Sequence, residues 1–196
     1  MTSTQLLLVR HGETDWAHDR RHTGRTDIAL NDNGRVQAAQ LAHHLPLADV
    51  VAVWSSPLQR AQETARLAGL SVDRLDDDLM EWDYGAAEGR TTEEIRVDVP
   101  GWDVWEHGVV GLGGTGETLT QVALRADRVI ARARQLEGMV VLVAHAHLLR
   151  VLGARWVDGR ADLGRHLLLD PAGWALLGWE RDAPAITRWN PPPPPT

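Results

Sequence analysis

The stretch LLLVRHGETDW at residues 6–16 decides how this chain is read. Leu6 to Val9 form a short apolar run closed by Gly12, the pattern of an interior strand. Arg10 and His11 follow directly, so the strand releases two basic side chains at its carboxyl end, the edge where open α/β sheets hold their ligands. Two further runs repeat the pattern: VVAVW at residues 50–54 leads on to Arg60, and MVVLVAH at residues 139–145 ends in His145. If the three strands are parallel, Arg10, His11, Arg60 and His145 reach one edge of one sheet from distant positions. Two guanidinium forks and two imidazoles around one point suit a tetrahedral oxyanion such as phosphate.

Strand-like and helix-like patterns alternate between these runs, which predicts an α/β fold: a three-layer open sheet of mostly parallel strands flanked by helices. Asn31 is a helix cap ahead of Ala38, Leu41, Ala42 and Leu45 at spacings of three and four. Ser56 caps the next helix, with Pro57 at its first position, Arg60 in its first turn and Gly69 as its stop. Thr91 opens a short helix with a capping box. Residues 118–136 carry Leu119, Val122, Ala126, Val129, Ile130 and Ala133 on one stripe of a long helix. Weaker strand patterns cover residues 166–169 and 173–179, then ITRW. The chain reads as one domain over residues 1–190, with residues 191–196 a proline-rich disordered tail.

Of the 196 residues, 20 are arginine or lysine, and every one of them is arginine. The formal net charge of -7 and the lack of a basic run argue against a nucleic-acid surface. The chain has no cysteine, which excludes disulfides, a thiolate nucleophile and cysteine-ligated zinc. No apolar stretch reaches the length of a membrane span and no signal core is visible, so the expectation is a cytoplasmic protein without membrane contact.

VRHGET, SSPLQRAQETA, EWDYGAAEG and VAHAHLLR resemble, in order, the four signature segments of the histidine phosphatase superfamily, the phosphoglycerate mutase-like fold. The match runs from Leu6 to about Val157, and four segments in register are far more specific than one Arg-His-Gly. The resemblance implies that His11 is the nucleophile, forming a phosphohistidine that water hydrolyses. Arg10, Arg60 and His145 would hold the phosphoryl oxygens, with His145 protonated against a bound dianion. Composition does not choose a proton donor among Glu81, Asp83 and Glu88; the resemblance places that role on Glu81. Thr23 and Gly24 match a segment that lines the substrate mouth, and Ala146 would offer its backbone N–H to phosphate. No metal and no cofactor are implied.

Two positions depart from the family pattern. Ala17 stands where members commonly carry Asn, and Ala146 where most carry Gly. The pair His145 and His147 could also be read as a His-x-His metal site, but no carboxylate ligands accompany it. Residues 101–118 combine Trp102, Trp105 and His107 with six glycines, and read equally as a substrate lid, with Trp102 and His107 touching the ligand, or as core. Within the family, the branch containing acid phosphatases and sugar bisphosphatases is the nearest resemblance. It implies hydrolysis of a small phosphorylated metabolite, such as a sugar phosphate. Residues 92–117 carry only Arg96 as a fixed cation, which speaks against a mutase and favours a phosphatase on a less charged substrate; a phosphate-binding scaffold should have lost His11, Arg60 or His145. A homodimer is compatible with all of these readings.

Overall fold

The computed structural model describes residues 4–109, 112–113 and 115–192. Its strands are β1 (Gln5–Arg10), β2 (Val50–Ser55), β3 (Arg74–Leu75), β4 (Met139–Ala144), β5 (Trp174–Glu180) and β6 (Ala183–Trp189). They form one six-stranded sheet in the order β3-β2-β4-β1-β5-β6. The first four in that order run parallel, while β5 and β6 are antiparallel to their neighbours. The helices are α1 (Asp15–His18), α2 (Asp32–Leu41), α3 (Gln59–Leu67), α4 (Thr92–Asp98), α5 (Val104–His107), α6 (Leu119–Ala133) and α7 (Ala146–Val157).

The sheet is central because its strands are apolar on both faces. Leu6, Leu8, Trp54, Val140 and Leu142 face one core, which they share with Val122, Val129 and Ile130 of α6 and Leu148, Leu149 and Leu152 of α7. Leu7, Val9, Val53, Val141 and Val143 face a second core, closed by Leu41 of α2 and by Ala61 and Ala65 of α3. Leu6 to Val9 are all fully buried, and each such side chain removed from water contributes about 1.5–3 kcal/mol. The three layers expected from the alternating pattern are present. No helix among the described residues is long and apolar enough to cross a membrane.

Caps fall largely where the sequence puts them. Asn31 accepts the Gly34 N–H at 2.8 Å, and Thr91 and Thr118 both close capping boxes, with Glu94 and Gln121. Helix α2 stops at Leu41, one turn before Leu45. The Ser56 cap is a correction: α3 begins at Gln59 with Leu58 as its cap residue, leaving the Ser56 side chain for other work. Residues 166–169 are not a strand. A 3₁₀ turn covers Ala161–His166, and the extended segment after it spends its Leu168 and Leu169 carbonyls on side chains, Trp189 and Arg10. Of the proline-rich tail, Pro191 and Pro192 follow β6 without regular structure, and residues 193–196 lie outside the described residues.

Candidate active site

Register builds the site. Arg10 pairs with Ala144 across β1 and β4, and Ser55 with Val143 across β2 and β4. The His11 N–H donates to the Ala144 carbonyl at 3.0 Å, and the Ser56 N–H to the Val143 carbonyl at 2.9 Å. His11, Ser56 and His145 therefore stand in a row just past three adjacent strand ends, and Arg60 joins them from the first turn of α3.

His11 is buried, and its Nδ1 lies 2.7 Å from the Gly12 carbonyl. A carbonyl can only accept, so Nδ1 carries the proton and Nε2 keeps the lone pair. Burial, and then the charges of Arg60 and Arg10, push the pKa of this ring well below its ordinary value. His145 is fully buried, its ring centroid 5.1 Å from that of His11. Arg60 Nε donates to its Nδ1 at 3.1 Å, which leaves the ring proton on Nε2, donating to Ser56 Oγ at 2.8 Å. Burial and the Arg60 charge hold this ring well below its ordinary pKa too. With Nδ1 accepting and Nε2 donating, His145 is neutral here, with one N–H; the doubly protonated form expected of it belongs to the complex with a bound dianion.

Arg10 anchors itself through Nη1 to the Leu169 carbonyl at 2.6 Å, while its buried Nε has no hydrogen-bond partner among the described residues. A buried unpaired donor calls for an explanation, and an oxyanion supplies one. Arg60 is placed differently from expectation. It is fully buried behind the cleft, with its terminal nitrogens on the carbonyls of Thr26 and Gly24 at 3.0 and 2.8 Å. In this structure it fixes the His145 tautomer and the loop at residues 23–26. Gly24 thereby serves Arg60 through its carbonyl and not the ligand, and a side chain there would collide with Glu88 and Trp82.

The cleft, of about 180 Å³, has Arg10, His11, Glu81 and Ala146 at its base. Glu81 is buried at the N-terminus of α7: Oε1 accepts the N–H groups of Trp82 and Leu148, both at 2.9 Å, and Oε2 that of His147 at 3.0 Å. Asp83 instead binds the Gly85 N–H, and Glu88 the N–H groups of Arg25 and Thr26; neither lines the cleft. Ala146 is the first residue of α7, its φ is not positive, and its N–H is not engaged by the described residues. The extra methyl group relative to Gly therefore costs no backbone strain. Ala17 lines the wall, and Thr23 lines the mouth as expected.

Trp102 and His107 do not line the cleft. Trp102 is 1% exposed, sits in the main core and donates from its indole to the Gly108 carbonyl. His107 is exposed, with its Nδ1 3.1 Å from the backbone N of Asp103. The other half of the lid expectation falls partly on residues 110, 111 and 114, outside the described residues. His145 and His147 do not converge as a metal pair, since His147 Nδ1 meets the Tyr84 hydroxyl.

Several site residues were not singled out for such roles from sequence. Arg20 and Arg21 line the mouth, beside His22, for which the sequence leaves a pocket and a surface role equally open, and Tyr84 with His147 forms one wall. Burial lowers the pKa of His22 to about 4. Ser56 read as a cap because Ser before Pro usually is one. Arg125 carried no signal beyond a polar position on a helix, yet it is nearly buried, pairs with Glu117 through two bonds of 2.7 Å and caps the carbonyls of Asp78, Met80 and Glu81. It fixes the segment that carries Glu81.

Comparison with known proteins agrees with this geometry. The profile described as "Histidine phosphatase superfamily (branch 1)" matches residues 6–192. The chain is 42% identical over 183 residues to an acid phosphatase of Mycobacterium tuberculosis, covering 90% of this chain and 87% of that one. It is 32% identical over 186 residues to sedoheptulose 1,7-bisphosphatase of Saccharomyces cerevisiae, covering 78% and 67% of the two. A solved structure of a Mycobacterium tuberculosis open-reading-frame product superposes with a TM-score of 0.89 at 38% identity, covering 95% of this chain and 97% of that one. The similarity supports phosphatase activity. Strand ends that gather two histidines and two arginines, and a profile that spans nearly the whole chain, lead to one conclusion: this protein belongs to branch 1 of the histidine phosphatase superfamily.

Proposed function

We propose that this chain hydrolyses small phosphate monoesters, sugar phosphates or related metabolites, without a metal and through a phosphohistidine on His11. The observation that carries the reading is the His11 tautomer. Its Nε2 lone pair has no partner among the described residues, while the same ring lines a cleft floored by the unpaired Arg10 donor. In the first step Nε2 attacks phosphorus in line, the ester P–O bond breaks, and Glu81 gives a proton to the leaving oxygen. In the second, water attacks the phosphohistidine, the P–N bond breaks, and Glu81 takes the water proton back. Arg10, the Ala146 N–H at the positive end of α7 and, once it turns from Ser56 Oγ to a phosphoryl oxygen, the His145 N–H stabilise charge on the transferring group. Arg60 acts through His145, whose single N–H it keeps on the side away from Nδ1.

The names of the relatives support a phosphomonoester substrate and a sugar among the candidates. Turnover of a labelled sugar phosphate in excess chelator, with alkaline quenching, tests the reading. Label should appear on the protein in a base-stable, acid-labile form and as inorganic phosphate, and both should vanish in His11→Ala. Label retained by His11→Ala, turnover restored only by a divalent metal, or label passed to a second metabolite instead of water would each overturn it.

A further inference from the structure

Three arginines line the cleft, and two are already engaged. Arg10 is anchored on the Leu169 carbonyl, and Arg21 on the Gly89 carbonyl and the Glu94 carboxylate. Arg20 is the exception: its guanidinium makes no hydrogen bond or ion pair with any described residue, although it lines the mouth of the same cleft. Its backbone is also unusual, with φ at 58°. That left-handed conformation favours glycine or asparagine, and a long side chain held there is disfavoured. Five residues other than glycine adopt positive φ among the described residues, and Arg20 is the one of them that lines the cleft. Strain of this kind persists where a side chain is needed in place. Among the described residues, the one carboxylate lining the cleft, Glu81, is taken up by backbone N–H groups and does not neutralise Arg20.

From this we infer that Arg20 forms a second anion subsite. The substrate carries, besides the phosphate bound at Arg10 and His11, another negative group, a carboxylate or a second phosphate, that reaches the mouth. The inference deepens the proposed function and rests on the phosphate lying at His11. It gives a chain of net charge -7 a local reason to attract a multiply charged anion. It also revises the expectation that the substrate is weakly charged, which counted cations only in residues 92–117.

Phosphonates, whose C–P bond is not hydrolysed, allow the test on the intact protein. Calorimetry would compare a series of ω-carboxyalkylphosphonates of two to five carbons with ω-hydroxyalkylphosphonates of matched length. The carboxylates should bind about tenfold tighter at the best length. That ratio should collapse toward one in both Arg20→Gln and Arg20→Gly, while Arg20→Gly alone should raise Tm by relieving the left-handed strain. No preference in the unmutated protein at any length, or a preference that survives both variants, overturns the subsite. Nitrophenyl phosphate turnover is measured separately. Its absence would defeat the proposed hydrolysis, whereas the binding ratio still decides the role of Arg20.

Discussion

Glu81 holds three backbone N–H groups with two oxygens, and this limits what can replace it. A Gln side chain accepts through one atom only, so its NH₂ must face either the Leu148 side of the carboxylate site or the His147 N–H. Glu81→Gln should slow sugar phosphate hydrolysis about a hundredfold, because an alkoxide leaves poorly without a proton, and should slow nitrophenyl phosphate hydrolysis much less. A companion drop in Tm measures the share owed to the lost helix cap. Equal loss on both substrates would make Glu81 a positioning residue. At the same scale, Arg10, His11, Glu81, His145 and Thr23 were readable because each follows a strand or belongs to a signature segment. Arg20, Ser56 and Tyr84 were not readable as site residues, since their roles depend on a backbone twist, a freed hydroxyl and a cavity wall that spacing does not encode.

Helix α6 shows that an element can shape chemistry without touching the ligand. Arg125 on α6 ties Glu117 to the carbonyls on either side of Met80, and Glu117 in turn accepts the Asp83 N–H at 3.0 Å. Arg125→Met should cost about 1–3 kcal/mol in denaturant unfolding, because Glu117 keeps only Arg25 and the Asp83 N–H as partners and the carbonyls of Asp78, Met80 and Glu81 lose their donor. It should also lower kcat on sugar phosphates more than on nitrophenyl phosphate if the Glu81 it displaces gives the proton as proposed. An unchanged substrate ratio would confine Arg125 to stability. Trp102 belongs with the elements as well. Trp102→Ala should cost about 3–5 kcal/mol and leave relative rates across a substrate panel as they were; altered preferences with unchanged stability would restore the lid reading. Periodicity made α2, α4 and α6 legible, and apolar runs did so for β1, β2 and β4. The two-residue β3 and the four-residue α1 and α5 are too short for any period, and the false strand at residues 166–169 arose because the apolar run Leu167 to Leu169 there serves an unpaired extended segment.

Across the whole molecule, four histidines are held neutral against their ordinary tendency: His11, His22, His145 and His147, each mainly by burial. Their pKa values are lower in the folded chain than in the unfolded one, so the unfolded chain binds more protons on acidification. Stability is therefore full above about pH 6.5 and falls as the pH drops toward 4, the value reached by His22. Scanning calorimetry from pH 7.5 to 4.5 should show Tm falling steadily below 6.5, and a flat profile to pH 5 would contradict the burial of these rings. The order of the strands bears on folding in its turn. β1 and β2 never touch; β4, some 84 residues after β2 ends, slides between them. A nascent chain that has reached residue 138 owns His11 and Arg60 but no edge on which they meet. Closing that long loop is slow, and every catalytic contact waits for it. Refolding followed by enzyme turnover should thus give a single late phase, in step with formation of the β4 pairings, with no partly active species before it.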